Sequence, residues 1–199
     1  MHIQRKSMHR NPGLFTRPAH IVRQDIIQTQ NHVASYMFSI CDTVREDFSY
    51  FALMWKDLNL SNHVCALFST SIIDEKIIDL AAKTFRYVRL GIDMCSLSER
   101  HREKINNHTN GKEQISDTML YSFLDICERY DNCEVDIYTI AGMPFFEESD
   151  ILAENETIDK LLKYRCFRGI EWGRLHAQPG AKLLAGAEQY GLKADACDY

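Results

Sequence analysis

The chain has 199 residues, 45% of them hydrophobic and 26% charged, with 28 acidic against 23 basic side chains for a formal net charge of -5. That balance suits one globular domain with a sizeable core and excludes a disordered chain, while the negative sum excludes the broad basic face of a dedicated nucleic-acid binder. No stretch approaches the ~18 consecutive apolar residues of a membrane span, and the N-terminus lacks an apolar run of signal-peptide type, so the chain reads as cytoplasmic with no membrane partner.

Residues 1–17 form a basic arm, since Arg5, Lys6, Arg10 and Arg17 precede the first acid, Asp25. Arg17-Pro18 then opens a helix over 18–29, proline being tolerated at the first helical position because its missing N–H would be unpaired there anyway. A strand is predicted over 35–41, ending at Asp42. Phe48, Phe51, Trp55 and Leu58 follow at spacings of three and four, the signature of one apolar helix face. A second strand covers 63–69, and Asp74 is placed to cap a helix that buries Ile77, Leu80, Ala81 and Phe85. The third strand, 87–93, is succeeded by a short charged helix over 96–105 and a polar loop over 106–114. Asp117 is read as the cap of a helix with the stripe Leu120, Phe123, Leu124, Cys127 and Tyr130. The fourth strand covers 134–142. A helix over 149–164 is expected to bury Ile151, Ile158, Leu161 and Leu162, and a fifth strand runs over 168–176. Pro179-Gly180 turns the chain into a short last helix over 181–190, the domain spanning 18–182 and a helix with tail taking 183–199.

Strands of this kind, each followed by a helix long enough to return the chain to the same sheet edge, predict an α/β fold with a parallel sheet. In such sheets ligands gather at the C-terminal strand ends, where the loops share one mouth. Asp93 and Gly142, which end the two most apolar strands, are therefore the first candidate site residues. The seven cysteines stand at 41, 65, 95, 127, 133, 166 and 197. They include no CxxC pair, so neither a zinc knuckle nor a loop-borne iron–sulfur site is encoded, and most read as reduced thiols filling the core.

Four segments carry a family resemblance. Arg17-Pro18-Ala19-His20-Ile21-Val22, Leu90-Gly91-Ile92-Asp93-Met94-Cys95-Ser96, Ile140-Ala141-Gly142-Met143-Pro144 and Pro179-Gly180 stand in the order and on the elements seen in the radical S-adenosylmethionine enzymes, particularly the cobalamin-associated subset. From Arg17 to Lys182 the chain resembles that core. The resemblance implies a partial parallel (βα) barrel with about five of the core's six strands. It also implies S-adenosylmethionine as cofactor, a [4Fe-4S] cluster held by CxxxCxxC in the full-length family, and cobalamin in the full-length protein. The sequence contains no CxxxCxxC, and the expectation is that the cluster loop precedes Met1, so that this chain is a fragment inactive alone. Where the family has a glycine-glycine-acid turn, Ile40-Cys41-Asp42 keeps only the acid.

Carried over residue by residue, the resemblance gives Asp93 the ribose hydroxyls, with Ser96 assisting at the ribose or carboxylate. It sets backbone groups of Ile140 and Gly142 near the adenine and assigns Asp42 the cofactor's ammonium group. Glu171 and His176 are placed to line the mouth. The lost strand would leave a sheet edge beside 35–41 open to pairing with a second copy or a missing N-terminal domain. Read without the family, Asp42, Asp93 and Ser96 are equally helix caps and Gly142-Met143-Pro144 a plain turn. Two other functions then stay open: a non-catalytic half-barrel binding a nucleotide or protein, and a metal-dependent hydrolase or lyase using Asp42, Asp93, Glu171 and His176.

Overall fold

The computed structural model describes residues 17–32, 37–40, 48–109, 115–176 and 186–191. The elements in chain order are α1 (Ala19–His32), β1 (Met37–Ile40), α2 (Phe48–Trp55), β2 (Val64–Ser69), α3 (Glu75–Thr84), β3 (Tyr87–Asp93), α4 (Glu99–Thr109), α5 (Asp117–Cys127), β4 (Cys133–Ala141), α6 (Glu148–Leu161) and β5 (Phe167–Arg174), with a 3₁₀ turn at Ala187–Tyr190. The last is the described part of the helix expected over 181–190. Asp42 and Pro179-Gly180 lie outside the described residues.

The five strands form one open sheet in the order β1-β2-β3-β4-β5, with every pairing parallel. The protein is thus α/β with an all-parallel sheet. Sequential order is what right-handed crossovers that keep successive helices on one face of a sheet produce. Strand alternation sorts the residues accordingly. Val88, Leu90 and Ile92 of β3 and Cys133, Val135 and Ile137 of β4 enter a core closed by Phe51, Met54 and Trp55 of α2, Ile77, Ile78 and Ala81 of α3 and Leu120, Phe123, Leu124 and Cys127 of α5. The intervening positions turn Arg89, Glu134, Asp136, Tyr138 and Glu171 to the other face.

Local chemistry sets the helix limits. Asp74 caps α3 by accepting from the Lys76 N–H at 2.7 Å, and the left-handed Asp57, φ 57°, ends the chain's course along α2. The cap of α5 is Ser116, whose Oγ accepts from the Met119 N–H at 3.2 Å, and not Asp117. The Asp117 carboxylate is drawn off by Arg102.

The buried edge of α6 also differs from expectation. Asp150, Glu154, Thr157 and Leu161 face inward, while Ile151 and Leu162 are 50% and 67% exposed. The helix is rotated because the loop after β3 offers buried N–H and O–H donors, and an unpaired buried donor costs more than an exposed aliphatic side chain gains by hiding.

Candidate functional site

β3 and β4 are neighbours running the same way, so their C-terminal ends share one edge. Across that edge Asp93 of β3 is in register with Tyr138 of β4, and Tyr138 with Glu171 of β5. Two residues further on, Ile140 pairs with Gly173. The chain beyond β3 keeps to β4, with the Met94 N–H donating to Tyr138 O at 2.7 Å and the Ile140 N–H to Cys95 O at 3.4 Å. Gly142 then takes φ 85°, a left-handed conformation open to glycine and costly with a Cβ. Asp93, Ile140 and Gly142 therefore stand along one rim, the C-terminal end of the sheet, with Asp93 level with Tyr138, four residues before Gly142, and both Asp93 and Gly142 exposed. His176 is exposed two residues past β5, beyond the Leu175 N–H that donates to Ala141 O at 3.0 Å.

Ser96 is placed elsewhere. It is buried, its hydroxyl donates to Glu154 Oε1 at 2.7 Å and accepts from the Ser98 N–H at 3.1 Å, so it braces the loop after β3 against α6. Ser98 donates to Asp150 at 2.6 Å, and the Leu97 N–H to Glu154 at 3.1 Å. Burial pushes the Asp150 carboxyl up, but hydrogen bonds from Arg100 and Ser98 outweigh it and hold the group at about 2. From the opposite side Arg102, fully buried, donates to the carbonyls of Ser96 at 3.0 Å, Leu97 at 2.9 Å and Ile115 at 2.8 Å while pairing with Asp117. A loop bound on both sides cannot drift, which is what holding a ligand at a strand end demands.

The loop after β4 is braced in its turn. His101, buried on α4, donates from Nε2 to Pro144 O at 2.8 Å. Phe145, at φ 67°, lays its ring 4.2 Å from that of His108.

Below the rim, the opposite face, uncovered among the described residues, carries a polar layer that the strand pattern Cys133-Glu134-Val135-Asp136-Ile137-Tyr138 announces by alternation. Arg89 pairs with Asp136 and with Glu171 at 3.1 Å and donates to the Tyr138 hydroxyl at 3.4 Å. Arg168 reaches Asp136 at 3.2 Å and Glu134 at 3.5 Å. The hydrogen bond to Asp136 raises the Arg89 pKa, and burial raises that of the Tyr138 phenol, so both stay protonated at neutral pH. Gly91 stands in this layer because Phe68 fills its place: a Cβ there would lie 2.3 Å from the Phe68 ring and 2.9 Å from Tyr138.

No protein-family model and no curated protein sequence matches the chain. Among the described residues no group of three or more His, Cys, Asp or Glu side chains is placed to hold a metal ion, and no helix is long and apolar enough to cross a membrane. Four of the described cysteines fit an iron–sulfur cluster poorly. Cys65, Cys127, Cys133 and Cys166 are buried, and burial pushes all four thiols up, Cys133 and Cys166 to about 12. Such groups resist becoming the thiolates that iron needs. These four buried cysteines are thus poor candidates for cluster ligands.

Proposed function

We propose that the rim formed by Asp93, Ile140 and Gly142 binds the adenosyl portion of S-adenosylmethionine, in a chain that supplies a partial barrel of the radical S-adenosylmethionine type. The observation that supports this reading is that Asp93 ends β3 and Gly142 directly follows the last residue of β4, its parallel neighbour, so both stand at the same end of the sheet. Asp93, as a carboxylate, accepts two hydrogen bonds from a ribose diol without having to turn. Gly142 admits the flat edge of a base against the backbone because no Cβ intrudes. With its N–H given to Cys95, Ile140 contributes its partly exposed side chain and not a backbone donor.

When bound, the cofactor would supply radical chemistry with a cluster held outside the described residues. This chain's own part is to orient the nucleoside through Asp93 and to keep the loop after β3 rigid through Arg102 and Glu154. Fe–S ligands, a cobalamin domain and the substrate-reading loops would come from outside the described residues, as would the strand that the resemblance sets beside β1. A cytoplasmic location accompanies this reading.

Calorimetric titration with S-adenosylmethionine and with adenosine is the test. Both are expected to bind, and Asp93→Asn is expected to weaken both by about ten- to a hundred-fold, the value of a charge-assisted pair of hydrogen bonds. Equal affinity in the variant, with its folding transition unchanged, overturns the reading. Anaerobic addition of iron and sulfide is expected to leave the chain without a stable cluster, and a retained brown chromophore overturns the fragment interpretation.

A further inference from the structure

The rim reading leaves one part of the uncovered face without a task. Glu171 stands between Gly169 and Gly173 in the run Gly169-Ile170-Glu171-Trp172-Gly173, and alternation puts both glycines on the face that Glu171 occupies. A Cβ at Gly169 would meet nothing within 4 Å, and one at Gly173 would meet only Thr139 O at 3.4 Å. Among the described residues the carboxylate is therefore flanked by open space along its own strand. Its side chain is 57% exposed, and its Oε1 accepts from Arg89 at 3.1 Å and from the Tyr138 hydroxyl at 3.5 Å. Oε2 accepts no hydrogen bond from the described residues.

We propose that this notch is the seat of a second ligand, a substrate that presents a protonated amine to Glu171 Oε2 and lays its apolar part against Tyr138. Three features favour an amine over an alcohol. Arg89 divides its charge between Asp136 and Glu171, so Glu171 is only partly neutralised. Among the described residues the ion-paired part of the layer sets three carboxylates, Glu134, Asp136 and Glu171, against two guanidinium groups, Arg89 and Arg168. The aromatic pair of Phe68 and Tyr138, edge to face at 5.7 Å, offers an ammonium group a second attractive partner. The bond between Arg89 and Glu171 fixes the carboxylate in place before the ligand arrives, which lowers the ordering cost of binding. This proposal deepens the rim reading and borrows from it only the end of the sheet at which a ligand enters.

A matched pair of probes, benzylamine and benzyl alcohol, tests it by NMR titration of the unaltered chain and of Glu171→Gln and Gly169→Val. The amine is expected to bind at least about tenfold more tightly than the alcohol, as an ionic hydrogen bond exceeds a neutral one. Glu171→Gln, which keeps the shape and removes the charge, is expected to abolish that preference. Gly169→Val, which fills the notch, is expected to weaken both probes, and if that variant does not fold, the Glu171→Gln result decides alone. Equal binding of amine and alcohol, no binding of the amine, or a preference that survives Glu171→Gln overturns the proposal. Adenosine titrated into the unaltered chain reports on the rim separately. Failure of adenosine with success of benzylamine sinks the rim reading and leaves the notch, and the reverse result sinks the notch alone.

Discussion

The two faces of the sheet are written by the same strands and follow opposite rules. On the helix side β3 presents Val88, Leu90 and Ile92, all fully buried in one apolar cluster. On the other side it presents Arg89, Gly91 and Asp93, bonded to or aligned with polar groups of β4 and β5. Parallel sheets generally hide both faces under apolar cover. Here one face does the hiding and the other is a layer of ion pairs under an exposed rim. The difference teaches that stability and ligand chemistry are assigned to alternate residues of one strand, so substitutions one position apart should affect different properties.

The widest separation comes from Leu90→Ala. The side chain is buried from all sides, and its loss is expected to cost about 2–5 kcal/mol, the range for large-to-small core changes, as read from urea denaturation. A cost below about 1 kcal/mol would mean that the helix face is loosely packed and that the contrast between faces is wrong. Arg102→Met is expected to follow at about 3 kcal/mol, because it strands three buried carbonyls and the Asp117 carboxylate together. It should also weaken adenosine binding by freeing the loop beneath Asp93.

Asp150 gives the same contrast a pH signature. Its folded carboxyl is held at about 2, below the ordinary 3.8, so its ionised form favours the folded state. That contribution is fully present above pH 4 and disappears as the pH falls towards 2. With the side chain 1% exposed, it amounts to about 2 kcal/mol. Urea midpoints measured between pH 5 and pH 2 should fall, and Asp150→Asn should flatten the fall. An unchanged slope in the variant would remove Asp150 from the bracing of the loop.

Much of the layout was legible because β3 and β4 are long apolar runs that stop at residues unsuited to continue. β3 matched at both ends, and β4 shifted by one residue. Asp93 and Gly142 could be brought to one rim by topology alone, since parallel neighbours share an end. What escaped was every feature governed by polar satisfaction. The spacing of Ile151, Ile158, Leu161 and Leu162 predicts a buried stripe, yet α6 turns Asp150 and Glu154 inward, because periodicity carries no record of the N–H groups waiting on another loop. Ser96 reads as a ligand contact for the same reason, since nothing near it in sequence announces Glu154, 58 residues away. Arg89, Asp136 and Tyr138 left a visible trace in the alternation of β4 and its pairing with β3, but their mutual contacts depend on register.

Gly91→Ala brings the two faces into direct competition at a single residue. The new methyl would stand 2.3 Å from the Phe68 ring and 2.9 Å from Tyr138. Neither ring can stay where it is, and overpacking of this kind costs about 1–3 kcal/mol. The neighbouring change Tyr138→Phe removes only a hydroxyl held by two long hydrogen bonds, 3.4 Å from Arg89 and 3.5 Å to Glu171. Its cost should stay under about 1 kcal/mol. Yet both variants disturb the platform beside Glu171, Gly91→Ala by displacing the ring and Tyr138→Phe by releasing the carboxylate from one of its two donors. Benzylamine affinity should therefore fall in both, although stability falls appreciably in only one. If binding instead followed stability, strongly reduced in Gly91→Ala and untouched in Tyr138→Phe, the uncovered face would be a second core waiting for cover and not a ligand surface.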